Sequence, residues 1–394
     1  MSGRGSERSP LAGLRVLDMS RVLAGPFVGR LLADLGAEVV KVEPPEGDVT
    51  RKWGAQVARL SGYYTQQNVG KRNLCVDLRA DGGPELVAQL AAEADILVEN
   101  YRPGVMARFG LDWPRLKERN PALIMLSISG FGQHGPEAQR PAYASVTHAE
   151  CGLMVRQSFG DDTRATDPRV SIADTNAALH GLVGVLSALH MRGRTGEGQH
   201  IDMAMIDATM ATDDYTHMAL DELPLPHGIV NEVWDVQGGQ IVIAGDFRHV
   251  WKQLVDVHGV VDPTPAGAEL SEKIRCRHEA VGAFLMSFAD SAAARAALDR
   301  AGLATGKLQS TQEGLRSPTL AHREAIVEVD DRDGGKRRVI QSPYRFSDAD
   351  SGAHPGGATY RGEDNVQVLA DWLGMSAPDA RALETSKVLL RDGD

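Results

Sequence analysis

Short β-branched runs alternate with amphipathic segments in the first half of the chain, and this alternation limits the possible folds more than any other feature. The run LRVLDMS precedes AGPFVGRLLADLGAEVVKVE, in which Pro26 suits a first helical turn and Gly36 suits a helix end. Leu31, Leu32 and Leu35 form one apolar face between them. Because AEVVKVE is typical of a second strand, the segment predicts a strand, a helix and a strand, the repeating unit of parallel sheets.

The same alternation recurs further along the chain. KRNLCVDL, DILVEN and LIMLSISGFG are typical of buried strands, and GGPELVAQLAAEA between the first two is typical of a helix. We therefore predict the α/β class, with a mostly parallel, doubly wound sheet.

The character of the sequence changes after about residue 220. VWDVQGGQIVIAG suggests a hairpin and EAVGAFLMSFADSAAARAALDRAG suggests helices, which together predict a smaller α+β domain. The late segments RRVIQSPYRFSD and EDNVQVLADWLG predict a strand and a helix that return to the first domain. We assign residues 1–215 and 330–394 to the large domain and 220–325 to the small one.

Composition restricts the partners. The formal net charge of −11 argues against a general nucleic-acid binder and favours small-molecule partners. Cys75, Cys151 and Cys276 are too scattered for a metal knuckle or a disulfide framework, and they fit a reducing cytoplasm. The polar start MSGRGSERSP is unlike a signal peptide, and we expect no segment that crosses a membrane. The expected protein is cytoplasmic, with no nucleic-acid or membrane partner.

Familiar nucleotide and nucleophile motifs are absent from the sequence. Gly25 and Gly29 do not complete G-x-G-x-x-G, and the GKR at residues 70–72 lacks the other residues of a phosphate-binding Walker loop. Neither Ser129 nor Ser187 lies in a G-x-S-x-G frame. These patterns disfavour nicotinamide or flavin binding, phosphoryl transfer and serine hydrolysis.

The histidines have no metal-ligand spacing. His134, His148 and His180 lie outside any H-E-x-x-H pattern and have no clustered cysteine or carboxylate partners. We therefore expect no metal site.

One carboxylate, Asp174, lies between a β-branched run and a long apolar segment in VSIADTNAALHGLVG. Aspartate is a favoured N-cap, so the simplest interpretation is a helix that begins at Asp174 and is capped by it. The following helix is apolar on nearly all faces and is expected to be buried, with Gly181 and Gly184 allowing close approach of another segment. A partly desolvated carboxylate at a helix N-terminus also suits a covalent nucleophile.

Several ordered segments together resemble a known family. They are RVLAGPFVGRLLADLGAEVVKVEPPEGDVTR, VENYRPGVMARFGLDW, ISGFGQHGP, VSIADTNAALHGLVGVLSALHMRGRTGEGQHIDMAMIDA, and the late SPYRFS and GED. The chain resembles the class III coenzyme A transferases of the CaiB/BaiF type, which include formyl-CoA and carnitine CoA-transferases and, as a branch, α-methylacyl-CoA racemases. The resemblance implies a large Rossmann-like CoA-binding domain, a small middle domain and an interlocked homodimer.

The resemblance also implies the chemistry. Asp174 matches the catalytic aspartate of the transferases, which forms mixed-anhydride and aspartyl-CoA thioester intermediates while CoA moves from an acyl-CoA to a small carboxylic acid. Coenzyme A and its thioesters are then substrates, with no tightly bound cofactor and no metal. The matching CoA-binding positions, from the pantetheine end to the phosphates and adenine, are Arg21, Val22, Leu23, Ala24, Val76, Arg79, Asn100, Tyr101, Arg108 and Tyr143.

The sequence departs from the family pattern at three places. Leu23 replaces a glutamine of formyl-CoA transferase, which disfavours oxalate as the acceptor. Tyr143 and Ala144 stand where racemases have a His-Asp pair, which favours transfer, although His148 lies nearby. In the segment LPHGIVNEVWDV an altered active-site cover is expected around His227, Gly228 and Asn231. Two alternatives stay open: a racemase, and a CoA-binding protein that lacks transfer activity.

Overall fold

The computed structural model describes residues 6–157, 165–214, 216–220 and 231–392, so His227 and Gly228 lie outside the described residues. The described strands are β1 (Arg15–Asp18), β2 (Glu38–Glu43), β3 (Gln56–Val57), β4 (Leu60–Ser61), β5 (Arg72–Cys75), β6 (Ile96–Glu99), β7 (Ile124–Ser129), β8 (His200–Ala204), β9 (Glu232–Val236), β10 (Gly239–Ala244), β11 (Ala304–Lys307), β12 (Ile326–Asp330) and β13 (Lys336–Ile340).

The helices in the same residues, with a short 3₁₀ turn at Val49–Lys52, are α1 (Ala24–Asp34), α2 (Gly62–Asn68), α3 (Gly83–Ala92), α4 (Val105–Arg108), α5 (Trp113–Arg119), α6 (Ala144–Glu150), α7 (Leu153–Gln157), α8 (Ile172–Thr195), α9 (Met205–Thr212), α10 (Thr216–Leu220), α11 (Phe247–His258), α12 (Leu270–Met286), α13 (Ser291–Arg300), α14 (Thr311–Gly314), α15 (Pro318–His322), α16 (Asn365–Leu373) and α17 (Ala377–Thr385).

A six-stranded parallel sheet confirms the predicted α/β class. Its strand order is β5-β2-β1-β6-β7-β8, and every pairing in it is parallel. The chain runs outward from β1 to β2 and β5, and then returns to the other side of β1 with β6. The order therefore reverses between β1 and β6, and the carboxyl ends of these two strands border the crevice where open α/β sheets bind ligands.

Helices cover both faces of this sheet because neighbouring strand residues point to opposite sides. Val16 packs with α1, α8 and α9, whereas the adjacent Leu17 packs with α3, α16 and α17. Two glycines on α8 permit close packing against the sheet. A Cβ at Gly181 would lie 2.9 Å from a Leu126 methyl, and one at Gly184 would lie 3.3 Å from Ile201.

Helix α8 begins two residues before the predicted start. Ser171 is its N-cap residue and makes no side-chain capping bond, so Asp174 lies inside the first helical turn. The prediction that Asp174 is the N-cap is wrong, because the backbone is already helical at Ile172. The Asp174 side chain therefore projects from the first turn of α8 and not from the residue before the helix.

Within the single chain, the prediction that α8 is buried holds for one of its faces only. Leu179, Val183 and Leu186 are 44%, 60% and 37% exposed, and their spacing places them on one face of the helix. By length and composition alone α8 could cross a membrane, with a mean hydropathy of 1.3. The opposite face of α8 packs on the sheet as a core helix does, and the expectation of no membrane-crossing segment stays a prediction.

The contacts divide the chain into two compact units, Met1–Asp214 with His322–Asp394, and Tyr215–Ala321. In the second unit β9 and β10 form the predicted hairpin, and β11 pairs with β10 in an antiparallel sheet. Helices α11, α12 and α13 pack against it around Trp234 and Leu254. The late strand β13 pairs with β12 rather than with the central sheet, whereas α16 packs on that sheet.

Candidate active site

The turn that follows β1 lies at the point where the strand order reverses. Asn100, which follows β6, receives the Arg21 backbone N–H at 2.8 Å and donates to the Arg21 carbonyl at 2.8 Å. The Asn100 side chain thereby binds both the backbone N–H and the backbone carbonyl of Arg21, as a neighbouring strand would. The predicted residues Arg21 and Asn100 are thus brought together, with Asn100 supporting the turn.

The next residue, Val22, has a backbone conformation that β-branched residues rarely adopt. Its φ is +70°, in the left-handed region, which costs about 1–3 kcal/mol. Its N–H donates to Asp48 Oδ2 at 3.2 Å, and Asp48 Oδ1 accepts from the Thr50 backbone N–H and hydroxyl. The strained turn persists because these contacts fix it from the neighbouring loop.

Buried ion pairs lie directly behind this turn. Lys71 Nζ lies 2.8 Å from Asp18 Oδ2, and Lys41 Nζ lies 3.3 Å from Asp48 Oδ2 while donating to the Ser20 carbonyl at 2.8 Å. Burial alone would raise the pKa of Asp18, but Lys71 and Lys41 lower it below its ordinary value. This group, which we call the ion cluster (Asp18, Lys41, Asp48 and Lys71), fixes the turn from the sheet side.

A cavity of about 450 Å³ opens at the carboxyl ends of β1, β2, β5 and β6. Five predicted CoA-binding residues line it together: Arg21, Val76, Arg79, Tyr101 and Arg108. Three of them are arginines, and aromatic and aliphatic side chains line other parts of the wall. Such a mixture suits a ligand that has both phosphate groups and a flat apolar ring.

A buried carboxylate, Glu99, supports one wall of this cavity. It ends β6, accepts the Tyr101 backbone N–H at 2.8 Å and is hydrogen-bonded by Ser127. Burial raises the pKa of Glu99 to about 7, although both hydrogen bonds oppose the rise. Glu99 was not predicted as a site residue, because an acid at a strand end carries no motif.

Asp174 lies beside the far end of the same turn. Burial raises the pKa of the Asp174 carboxyl to about 6, while the neighbouring Ala24 and Asp174 backbone N–H groups oppose the rise. Arg21 lines the cavity and Ala24, three residues later, contacts Asp174, so the turn joins the two over about 10 Å at most. The structure therefore unites the predicted aspartate and the predicted CoA segment in one site.

Tyr63, on α2, is a site residue that sequence reasoning missed. Burial raises the pKa of its hydroxyl to about 12, and the negative charges of Asp174 and Asp48 add to the effect. Its ring packs edge-on against Trp53, with centroids 5.2 Å apart. The hydroxyl is therefore protonated at neutral pH. No spacing rule distinguishes Tyr63 from its neighbour Tyr64, which belongs to the buried core instead.

His148, on α6, is fully buried and contacts the start of α8. Its Nε2 accepts the Ala173 backbone N–H at 3.1 Å, and its Nδ1 lies 2.7 Å from Asp167 Oδ1. Both ring nitrogens are therefore occupied.

Two further predicted residues lie outside the cavity wall. Tyr143 is 71% exposed at the start of α6 and is not among the residues that line the cavity. Leu23 is buried as the residue before α1, where its side chain makes no capping hydrogen bond. Among the described residues, no group of three histidine, cysteine or carboxylate side chains could hold a metal ion.

Comparison with known proteins decides the family. The model for CoA-transferase family III matches residues 11–365. The chain belongs to this family. This family III CoA-transferase is 30% identical to the succinyl-CoA–D-citramalate CoA-transferase of Chloroflexus aurantiacus, over 96% of this chain and 98% of that protein. It is 32% identical to the acetyl-CoA:oxalate CoA-transferase of Acetobacter aceti, over 95% of this chain and 98% of that protein.

A solved structure gives the same result. The CaiB/BaiF family protein from Brucella suis superimposes with a TM-score of 0.79 at 31% identity, covering 93% of this chain and 100% of that one. The family III CoA-transferase described here is therefore an enzyme of this class, whose substrates are CoA thioesters.

The raised pKa of Asp174 predicts a pH-dependent cost in stability. Between pH 4 and the folded-state pKa of about 6, the folded protein binds more protons than the unfolded chain, so ionisation of Asp174 lowers the free energy of unfolding as pH rises. Asp174→Asn removes this ionisation. We expect the variant to have the higher urea midpoint at both pH values, by a small margin at pH 4.5 and by a larger one at pH 7.5. Equal midpoints at both pH values would contradict the burial of this carboxyl.

Proposed function

We propose that this enzyme moves CoA from an acyl-CoA donor to a small carboxylic acid through a covalent intermediate on Asp174. The observation that carries the proposal is a partly buried carboxylate, with its pKa raised to about 6, beside a turn that leads from an arginine-lined cavity. A carboxylate with that pKa is mostly ionised at neutral pH and is more basic than an exposed aspartate. Both properties suit a nucleophile.

The proposed transfer needs no net water or proton. An Asp174 oxygen attacks the thioester carbonyl, the C–S bond breaks, and CoA leaves as its thiolate with a mixed anhydride remaining. The thiolate then attacks the aspartyl carbonyl and releases the donor acid, which leaves an aspartyl-CoA thioester. The acceptor carboxylate displaces the thiolate to form a second anhydride. The thiolate then attacks the acceptor carbonyl of this anhydride, which gives the new acyl-CoA and releases the Asp174 carboxylate. Each step expels a stable anion.

Two backbone N–H groups support this chemistry. Those of Ala24 and Asp174 lie near enough to the aspartate carboxylate to lower its pKa, so we assign them as donors to the negative charge that develops on its oxygens. The Tyr63 hydroxyl lies nearby and remains protonated, because burial and two carboxylates raise its pKa to about 12. It is therefore a third donor available to the acyl oxygen. The strained turn at Val22 holds the Ala24 N–H in place before substrate binds.

We assign the cavity to the nucleotide part of CoA. Arg21, Arg79 and Arg108 present three guanidinium groups for its phosphates, and Val76 and Tyr101 present apolar surface for its adenine. In this assignment the pantetheine arm lies along the turn from Arg21 to Ala24 and extends towards Asp174.

Acceptor choice involves Leu23 in this proposal. Its buried side chain carries no hydrogen-bond donor, so a small carboxylic acid other than oxalate is the proposed acceptor. The Agrobacterium fabrum relative, 31% identical over 94% of this chain, is named for succinate and glutarate.

The geometry of His148 supports transfer over racemisation. A racemase needs an acid or base that reaches the α-carbon, but both nitrogens of His148 already have partners and the ring is buried. Tyr143 is exposed and Ala144 has no titratable group. A CoA-binding protein without transfer activity is the remaining alternative, and the following experiment separates it from a transferase.

The covalent intermediate gives the direct test. Hydroxylamine added with an acyl-CoA should convert the activated Asp174 carbonyl into a hydroxamate, which peptide mass spectrometry locates. Asp174→Asn should lose the adduct completely, whereas Asp207→Asn, a change at the first turn of α9, should retain it. An enzyme that binds CoA but gives no Asp174 adduct with a broad panel of acyl-CoA donors would refute transfer.

The cavity arginines predict a second result. Arg79→Gln and Arg108→Gln should each weaken CoA binding about 10-fold, because each removes a charge-assisted phosphate contact. Calorimetry with CoA and with dephospho-CoA measures the effect. Arg115→Gln is the control, since that arginine lies on the exposed surface of α5 beside Asp112. If all three variants bind CoA with equal affinity, the cavity is not part of the CoA site.

A second copy of this chain is the proposed partner, with the two subunits interlocked as the family resemblance implies. The exposed apolar face of α8 (Leu179, Val183 and Leu186) supports this, because an apolar face of that kind is normally covered in an assembly. Val183→Glu should shift the sedimentation mass from dimer towards monomer. Val261→Glu, at an 81% exposed position in the second unit, should leave the dimer intact. A monomeric wild-type enzyme would contradict the proposal.

We also propose a cytoplasmic location. Cys75, Cys151 and Cys276 are all unpaired thiols, two of them buried, which fits a reducing compartment.

A further inference from the structure

The contacts of His148 determine which of its nitrogens carries the proton. A backbone N–H can only donate, so Nε2, which faces the Ala173 N–H at 3.1 Å, must be the unprotonated nitrogen. The proton of the neutral ring is then on Nδ1, which donates to Asp167 Oδ1 at 2.7 Å. Asp167 thereby fixes the tautomer in which His148 is an acceptor towards α8.

The first turn of α8 needs such an acceptor. Helices begin with backbone N–H groups that have no partner in the helix, and Ala173 is the second helical residue of α8. The N-cap residue, Ser171, makes no side-chain capping bond, and Ala173 is fully buried, away from water. His148, which belongs to α6, therefore takes the place that a capping side chain normally has.

We propose that His148, oriented by Asp167, is a positioning residue for Asp174. Ala173 directly precedes Asp174, so the bond that holds the Ala173 N–H also fixes the direction in which the Asp174 side chain leaves the helix. The Ala24 N–H, from the turn after β1, also interacts with this carboxylate and lowers its pKa. The nucleophile is thus held between the turn after β1 and the cap from α6. This proposal rests on the proposed transfer reaction.

Glutamine and leucine variants separate an acceptor from a space-filling group. In His148→Gln the amide oxygen can accept from Ala173 and the amide nitrogen can donate to Asp167, whereas His148→Leu fills the space without an acceptor. We expect His148→Leu to slow formation of the Asp174 hydroxamate about 10- to 100-fold, with the affinity for CoA unchanged. His148→Gln should stay within about threefold of the wild type. His249→Leu, on α11, is the control for loss of a histidine.

Amide hydrogen exchange tests the cap without requiring catalysis. Exchange in the peptide that contains Ala173 and Asp174 should accelerate in His148→Leu and remain slow in His148→Gln. If His148→Leu does not fold, Asp167→Ala takes its place. The Asp167 side chain is 42% exposed, and its loss should slow the hydroxamate reaction by freeing the tautomer.

Three outcomes would overturn the proposal. The first is an unchanged hydroxamate rate in a folded His148→Leu or, in its place, Asp167→Ala. The second is an equal loss of rate in His148→Gln and His148→Leu, because that would require the imidazole itself. The third is unchanged exchange at Ala173. A wild-type enzyme that shows protected Ala173 exchange but no Asp174 adduct would instead refute the transfer reaction and leave the cap established.

Discussion

The rest of the site depends on the ion cluster behind the turn after β1. Asp18 and Lys71, together with Lys41 and Asp48, are removed from water, and buried charges persist only when they are paired and hydrogen-bonded. Their spare donors and acceptors bind the backbone of the turn at the Ser20 carbonyl and at the Val22 N–H. Val22 remains in a strained conformation because relaxing it would remove its N–H from the buried Asp48 carboxylate. The buried ion pairs hold the turn in place, and the turn fixes the direction of the Ala24 N–H.

The carboxylates of this region fall into two classes that differ in the balance between burial and pairing. For Asp18 and Glu43 nearby cations outweigh burial, which brings the pKa of Glu43 down to about 2. For Asp174 and Glu99 burial outweighs its opposing hydrogen bonds, and the pKa values rise to about 6 and 7. The paired carboxylates of Asp18 and Glu43 stabilise the fold. Asp174, in contrast, is ionised at neutral pH and lacks a full counter-charge. An acid in that state is poised for reaction.

Local sequence patterns predicted the sheet because β1, β2, β5, β6 and β7 are almost wholly buried, and because a helix such as α1 has an apolar face. Asp174 and the cavity arginines were predicted as site residues from ordered family motifs, since no spacing rule alone distinguishes them from a cap or a surface charge. Tyr63 and the contact of His148 with Ala173 were missed, because each depends on residues that are distant in the sequence. The start of α8 was placed late for a similar reason: the acceptor for its free N–H comes from α6 rather than from the preceding residues.

The sequence by itself determined the alternation of strands and helices, the absence of the familiar nucleotide and metal motifs, and Asp174 as the carboxylate to examine. These follow from local periodicity and from motifs that lie within short segments. Only the tertiary structure decided that Asp48 holds the strained Val22, that His148 is an acceptor without a free nitrogen, and that one face of α8 is exposed in the single chain. All three have the same physical reason. The burial, pairing and exposure of a residue depend on the segments that pack against it, and those segments are distant in the sequence.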